Sequence, residues 1–117
     1  MLKLKRVYAA VESSDGERFL VERLWPRGMK KEDLEMRAWL KDAAPSPALR
    51  TWFGHDPLRW EEFQRRYRDE LQARPLAWAP LLEAAERGDV TLLYSARDTQ
   101  HNCALALKEF LEERLVK

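Results

Sequence analysis

The stretch "DVTLLYSARDTQHN", residues 89–102, decides the fold. Its first half is a run of β-branched, leucine and aromatic residues that reads as a strand. Its second half turns polar and runs directly into a last helix. There Cys103, Leu107, Phe110, Leu111 and Leu115 recur at helical spacing, leaving Glu109, Glu112, Glu113 and Arg114 for water. A strand leading into a helix needs a partner strand, and "RFLVERLW", residues 18–25, supplies one. Its unbroken apolar run Phe19, Leu20, Val21 suits a strand covered on both faces. The N-terminal "LKLKRVYAAV" alternates through Leu2, Leu4, Val7 and Tyr8 and reads as a shorter, less buried strand that stops before the turn-forming "SSDG" at residues 13–16.

Between the second and third strands the chain reads as helical. After "GMKKED", Leu34, Met36, Trp39, Leu40 and Ala43 fall at mixed spacings of three and four, which predicts a helix ending before "APSP". Ser46 fits an N-cap with Pro47 at the first helical position, opening "PALRTWF", which Gly54 closes. Asp56 and Pro57 repeat the signal, and Trp60, Phe63, Gln64, Tyr67 and Leu71 then share one face of a long helix. A further helix is expected from Ala77 or Pro80 to Arg87, with Gly88 as its stop. The order predicts an α/β fold: a small, mainly parallel sheet of about three strands packed with four to five helices. It forms a single domain over residues 1–117, with at least one right-handed crossover between strands two and three.

Composition bounds the function classes. At 117 residues, with 45% hydrophobic and 35% charged side chains, the chain is long enough for one core and too apolar to be disordered. The balance of 21 basic against 20 acidic residues argues against a general polyanion binder, so any positive field is local. Cys103, the single cysteine, forms no intrachain disulfide. No apolar run approaches the roughly 18 residues of a membrane span, and no signal-peptide pattern opens the chain. These features predict a cytoplasmic protein with no membrane contact, and they leave its oligomeric state open.

Parallel strands joined by helices present their C-terminal ends along one edge, where open α/β sheets bind ligands. "RLWPRG" leaves strand two and "YSARDTQHN" leaves strand three, so the topology brings Arg23, Trp25, Arg27, Tyr94, Ser95, Arg97, Asp98, His101 and Asn102 toward one cleft. Arginine offers a planar fork to phosphate or carboxylate. The same arginines also suit pairing with Glu22, Asp98 or helix C-terminal carbonyls. Trp25 suits packing more than stacking on a ligand ring, and Tyr94 suits either. His101 and Asp98 are the candidate proton carriers, although a histidine early in a helix is often a capping group. "FGHDP" invites a metal reading, but helix-start grammar already accounts for Asp56, and two histidines and one cysteine far apart do not make a zinc site; no metal is expected. Cys103 reads as a small hydrophobe on an apolar helix face. No phosphate-binding glycine loop or nucleophile elbow occurs, and "EEFQRRYRDE" reads as a solvated helix face.

The segments "VERLWPRG", "WLKDAAPSPALRTWFGHDPLRWEEFQRRYRDEL" and "VTLLYSARDTQHNCALALKEFL" together resemble the bacterial proteins of the domain of unknown function 488 family, in its YeaO-like branch. The resemblance spans nearly the whole chain and implies an α/β fold without an assigned activity. Where the family pattern usually reads "VDRLWPRG", this chain carries Glu22, which keeps the charge and moves the carboxylate out by one methylene.

Two functions fit these residues. One is a domain for a small anionic or nucleotide-like molecule, possessing enzymatic activity if Asp98 or His101 moves a proton; its cofactor is unknown. The other is a non-catalytic module that binds nucleic acid or protein through the arginine- and tryptophan-bearing surface. Salt separates them, because a nucleic-acid contact weakens steeply as ionic strength rises.

Overall fold

The computed structural model describes residues 1–115. The three expected strands form as β1 (Leu2–Arg6), β2 (Glu17–Leu20) and, last in the chain, a strand at Val90–Tyr94, although β2 stops at Leu20 and leaves the expected residues 21–25 in the segment beyond it; a two-residue strand, β3 (Ala38–Trp39), makes the last one β4. All are parallel, in the order β1-β4-β2-β3. β2 and β4 are therefore parallel neighbours, with Phe19 opposite Leu92 and Leu20 opposite Leu93. β4 lies inside the sheet, and every one of its residues is buried.

Successive side chains of a strand point to opposite faces, and the core divides accordingly. Phe19, Val21, Val90, Leu92 and Tyr94 belong to a large cluster with residues of four helices, α1 (Pro47–Phe53), α2 (Trp60–Ala73), α3 (Pro75–Arg87) and α4 (Cys103–Leu115). Leu20 and Leu93 belong to a second cluster with Val7 and Leu34, against which Trp25, Met29, Met36 and Trp39 pack. Helices cover one face of the sheet, and the irregular segment between β2 and β3 covers the other.

The helix expected over residues 34–43 does not form. The segment instead holds 3-10 turns at Lys31–Asp33 and Lys41–Ala43 with β3 between them. The reason lies in where its apolar side chains go. Leu34, Met36 and Trp39 pack on the second face, while Ala38, Leu40 and Ala43 pack with the helical face. One helix cannot serve both sides of a sheet. A strand at its edge can, and Arg37 and Leu40 donate backbone hydrogen bonds to Arg18 O and Leu20 O at 2.6 and 2.8 Å.

The other helices obey their local punctuation. Ser46 Oγ accepts from Leu49 N at 3.2 Å, and Gly54 closes α1 in the left-handed region at φ 52°. Asp56 Oδ1 accepts from Leu58 N at 3.0 Å ahead of a 3-10 turn at Pro57–Arg59 that leads into α2. α3 starts earlier than expected, with Pro75 in its first turn and Pro80 inside it. Leu76 and Pro80 are both exposed, so the ring sits on the solvent side of the helix, where an interrupted backbone hydrogen bond costs least. α4 starts at Cys103, where Asn102 Oδ1 accepts from Leu105 N at 2.8 Å. Among the described residues no helix is long and apolar enough to cross a membrane.

Candidate functional site

A cleft of about 640 Å³ opens where β2 and β4 end. The segment after β2 contributes Glu22, Trp25 and Arg27, and the segment after β4 contributes Ser95, Arg97, Asp98 and Asn102. Tyr94, the last residue of β4, also lines it, as do Arg50 and Phe53 of α1 and His55 just beyond. Seven of the residues singled out in the sequence thus meet in one place: Trp25, Arg27, Tyr94, Ser95, Arg97, Asp98 and Asn102.

Arg23 points elsewhere. Its guanidinium donates to Ala44 O at 3.2 Å and Pro45 O at 3.3 Å and pairs with Asp42 at 3.4 Å, tying the segment after β2 to the approach to α1. Its Nε is buried without a partner. His101 lies beside the cleft: its Nδ1 is 2.9 Å from Asp98 Oδ2, and its ring meets Trp60 edge-on at 5.5 Å.

Three guanidinium groups line the cleft, those of Arg27, Arg50 and Arg97. Among the described residues none of the three has an ion-pair or side-chain hydrogen-bond partner, whereas Arg18, Arg59, Arg66, Arg68 and Arg87 are each paired with a carboxylate. The two carboxyl groups of the cleft, in contrast, are engaged internally. Glu22 Oε1 accepts from Ser95 N at 2.7 Å and Ser95 Oγ at 2.5 Å. Asp98 Oδ1 accepts from Gln100 N at 2.9 Å and His101 N at 3.0 Å, and the Gln100 N–H, with help from His101, holds this carboxyl below the usual carboxylate range. Three guanidinium groups without ion-pair partners thus stand beside two hydrogen-bonded carboxylates at one sheet edge of a chain whose formal net charge is only +1.

Packing fixes the rest of the wall. Trp25 Nε1 donates to Met29 O at 2.5 Å and its ring meets Trp39 edge-on at 5.3 Å, so the indole is held in place while lining the cleft. Burial pushes the Tyr94 hydroxyl up from its ordinary value. Burial, reinforced by Glu22, likewise pushes the Cys103 thiol up to about 12 against the opposing pull of Arg50. Asn102 is buried and spends its amide on Asp98 O at 2.9 Å as well as on its capping bond. No three His, Cys, Asp or Glu side chains gather as a metal-ligand set among the described residues.

Sequence reasoning missed four contributors. Arg50 looks like any solvent-facing helix residue, because only the docking of α1 aims it at the sheet edge. His55 reaches the cleft through a left-handed turn at φ 57°, a conformation the sequence does not announce. Glu22 was read as a possible ion-pair partner, whereas it accepts from the backbone and hydroxyl of Ser95. Arg6 supports the site from β1, donating to Ala96 O at 3.0 Å and Ser95 O at 3.1 Å.

A family profile described as "Inactive DUF488-N3 subclade" matches residues 1–117. The chain is 42% identical over 110 residues to "Uncharacterized protein YeaO" of Escherichia coli (strain K12), covering 94% of this chain and 96% of that protein. It is 38% identical over 113 residues to "Uncharacterized protein Rv3073c" of Mycobacterium tuberculosis (strain ATCC 25618 / H37Rv), covering 97% and 95%. No solved structure gives a significant match. With a match from end to end and two relatives spanning almost their whole lengths, the chain belongs to the domain of unknown function 488 family, in the N3 subclade described as inactive.

Proposed function

We propose that this protein is a non-catalytic binding domain for a small organic anion of nucleotide-like size, held in the cleft at the ends of β2 and β4. The observation that carries the reading is the convergence of Arg27, Arg50 and Arg97, unpaired among the described residues, on one concave site. Three forks of this kind suit phosphate or carboxylate. A cleft of about 640 Å³ falls in the range for an organic ligand rather than a bare ion. The binding reading is favoured over an enzyme because the groups that would do chemistry are engaged. The Ser95 hydroxyl donates to Glu22, Asp98 and His101 hold each other, and the Cys103 thiol stays protonated. The family description, inactive, points the same way. In this reading the protein works in the cytoplasm, where a lone thiol stays reduced.

The test is calorimetric titration of the parent, Arg50→Gln and Arg27→Gln with phosphate, sugar phosphates, nucleoside monophosphates and dicarboxylates. Each substitution should weaken binding about tenfold or more, the value of a charge-assisted hydrogen bond, while the melting temperature stays within a few degrees because neither guanidinium supports the fold. Arg27→Lys separates charge from fork geometry: partial rescue means a mainly Coulombic role. A parent that binds none of these anions overturns the reading. Tight binding only to oligonucleotides, weakening steeply with salt, favours the nucleic-acid alternative.

A further inference from the structure

We propose that Glu22 reads the organic part of the ligand by accepting an N–H donor on its second carboxylate oxygen, which makes the ligand a nucleoside monophosphate whose base carries an amino group. The inference rests on the anion-binding reading above and adds the ligand class and a specificity residue to it.

Both hydrogen bonds to the Glu22 carboxylate, from Ser95 N and Ser95 Oγ, end on Oε1. Oε2 accepts none among the described residues. It is not sealed in the core either, since the one buried side-chain nitrogen or oxygen without a partner among those residues is Arg23 Nε. Glu22 lines the cleft and is only partly buried. An ionised carboxylate offers acceptor sites only. It repels the anionic part of a ligand and rewards a donor on the remainder. The Ser95 bonds hold this acceptor in place before any ligand arrives, so little ordering is left for binding to supply.

The cleft therefore presents three kinds of surface: the guanidinium trio, a fixed acceptor, and an apolar wall on which Trp25 is partly exposed and Phe53, Phe63 and Tyr94 are buried. A ligand matching all three has an anionic group, a flat body and an N–H on that body. Sugar phosphates lack the flat body and dicarboxylates lack the donor. A nucleoside monophosphate has each: a phosphate for arginine forks, a base that lies against aromatic side chains, and an amino group of the kind a carboxylate accepts from in base recognition.

The deciding experiment compares ligands on the parent protein by calorimetry: inorganic phosphate, ribose 5-phosphate, adenosine, cytidine and guanosine monophosphates, and purine riboside monophosphate, which has no amino group. At least one amino-bearing nucleotide should bind tenfold or more tighter than ribose 5-phosphate. Should adenosine monophosphate be the preferred one, purine riboside monophosphate should lose most of that gain. Glu22→Gln should abolish the preference, while inorganic phosphate, freed of the repulsion from that carboxylate, should bind no more weakly than to the parent. If phosphates bind and Arg50→Gln weakens them, yet every nucleotide matches ribose 5-phosphate, the Glu22 role is overturned and the anion site stands. If no phosphate binds at all, the anion reading fails and takes this one with it. The ligand series needs only the parent protein, so a Glu22→Gln chain that failed to fold would not rescue the idea.

Discussion

At the scale of single residues, the cleft sets side chains of one chemical type to different tasks by what surrounds them. Arg23, Arg27, Arg50 and Arg97 carry the same group, but carbonyls and Asp42 claim the first and leave the other three open. That difference was invisible in "RLWPRG", where Arg23 and Arg27 look equivalent, because the separating contacts come from residues 42–45. Cys103 makes the point testable. A thiol at about 12 is thiolate to roughly one part in ten thousand at pH 8, against about a quarter for an unperturbed cysteine. Native protein should thus react with iodoacetamide roughly a thousandfold more slowly than the same chain in denaturant, as mass spectrometry over a time course would measure. Cys103 lines the cleft and is only partly buried, so labelling at the denatured rate would show that the thiol ionises as readily in the fold as outside it.

At the scale of elements, legibility follows the range of the interactions involved. The starts of α1 and α2 were readable because Ser46, Asp56 and their prolines act on backbone a few residues away. The segment from Leu34 to Ala43 was not, since its side chains divide between two faces of a sheet that the segment itself helps to edge. The sheet-edge cleft was legible from topology, but α1's share in its wall was not. That helix is oriented by Phe53 stacking on Phe63 at 4.4 Å and by Glu70 of α2, which accepts from Ser46 N at 2.8 Å and Ser46 Oγ at 2.6 Å. Entry into β2 depends on one glycine in the same long-range way. Gly16 sits at φ 66°, and a Cβ there would lie 2.1 Å from Asp89 O, the carbonyl that accepts from Glu17 N at 3.0 Å. Gly16→Ala should cost at least about 2 kcal/mol, a drop on the order of 10 °C in melting temperature. Gly28→Ala is the control: at φ 77° with nothing near its Cβ, it bears only the conformational penalty of about 1 kcal/mol. Equal losses in thermal melts would mean that the Asp89 contact is not what makes position 16 a glycine.

At the scale of the whole molecule, the ionisable groups set a stability plateau with two separate edges. Asp15, buried beside β1 and β2, is bonded by Lys5 at 2.7 Å and Arg18 at 2.6 Å, and chiefly the Lys5 bond lowers its carboxyl to about 2. A folded-state value below the unfolded one, about 3.9, adds stability that is complete above that value and is lost as pH falls toward 2. Asp98 is shifted in the same direction. Tyr67, Tyr94 and Cys103 are shifted upward, each mainly by burial. Their folded values lie above unfolded values of about 10 for tyrosine and 8.5 for cysteine, so their contribution is complete below those values and is lost as pH rises. Stability measured by urea unfolding should be flat between about pH 4 and pH 8.5. Beyond either edge it should fall, steeply where the buried Asp15, Tyr67 and Tyr94 titrate and only weakly through the partly exposed Asp98. Two variants assign the edges. Asp15→Asn should flatten the acid limb and also lower stability at neutral pH, because buried Arg18 loses its charged partner. Tyr67→Phe should lower neutral stability by about 1–2 kcal/mol, through the lost bond to the Ala43 carbonyl, and make the alkaline limb shallower without touching the acid one. An alkaline limb unchanged in Tyr67→Phe would mean that the hydroxyl ionises as readily in the fold as outside it, and that Tyr94 and Cys103 govern the loss of structure in base.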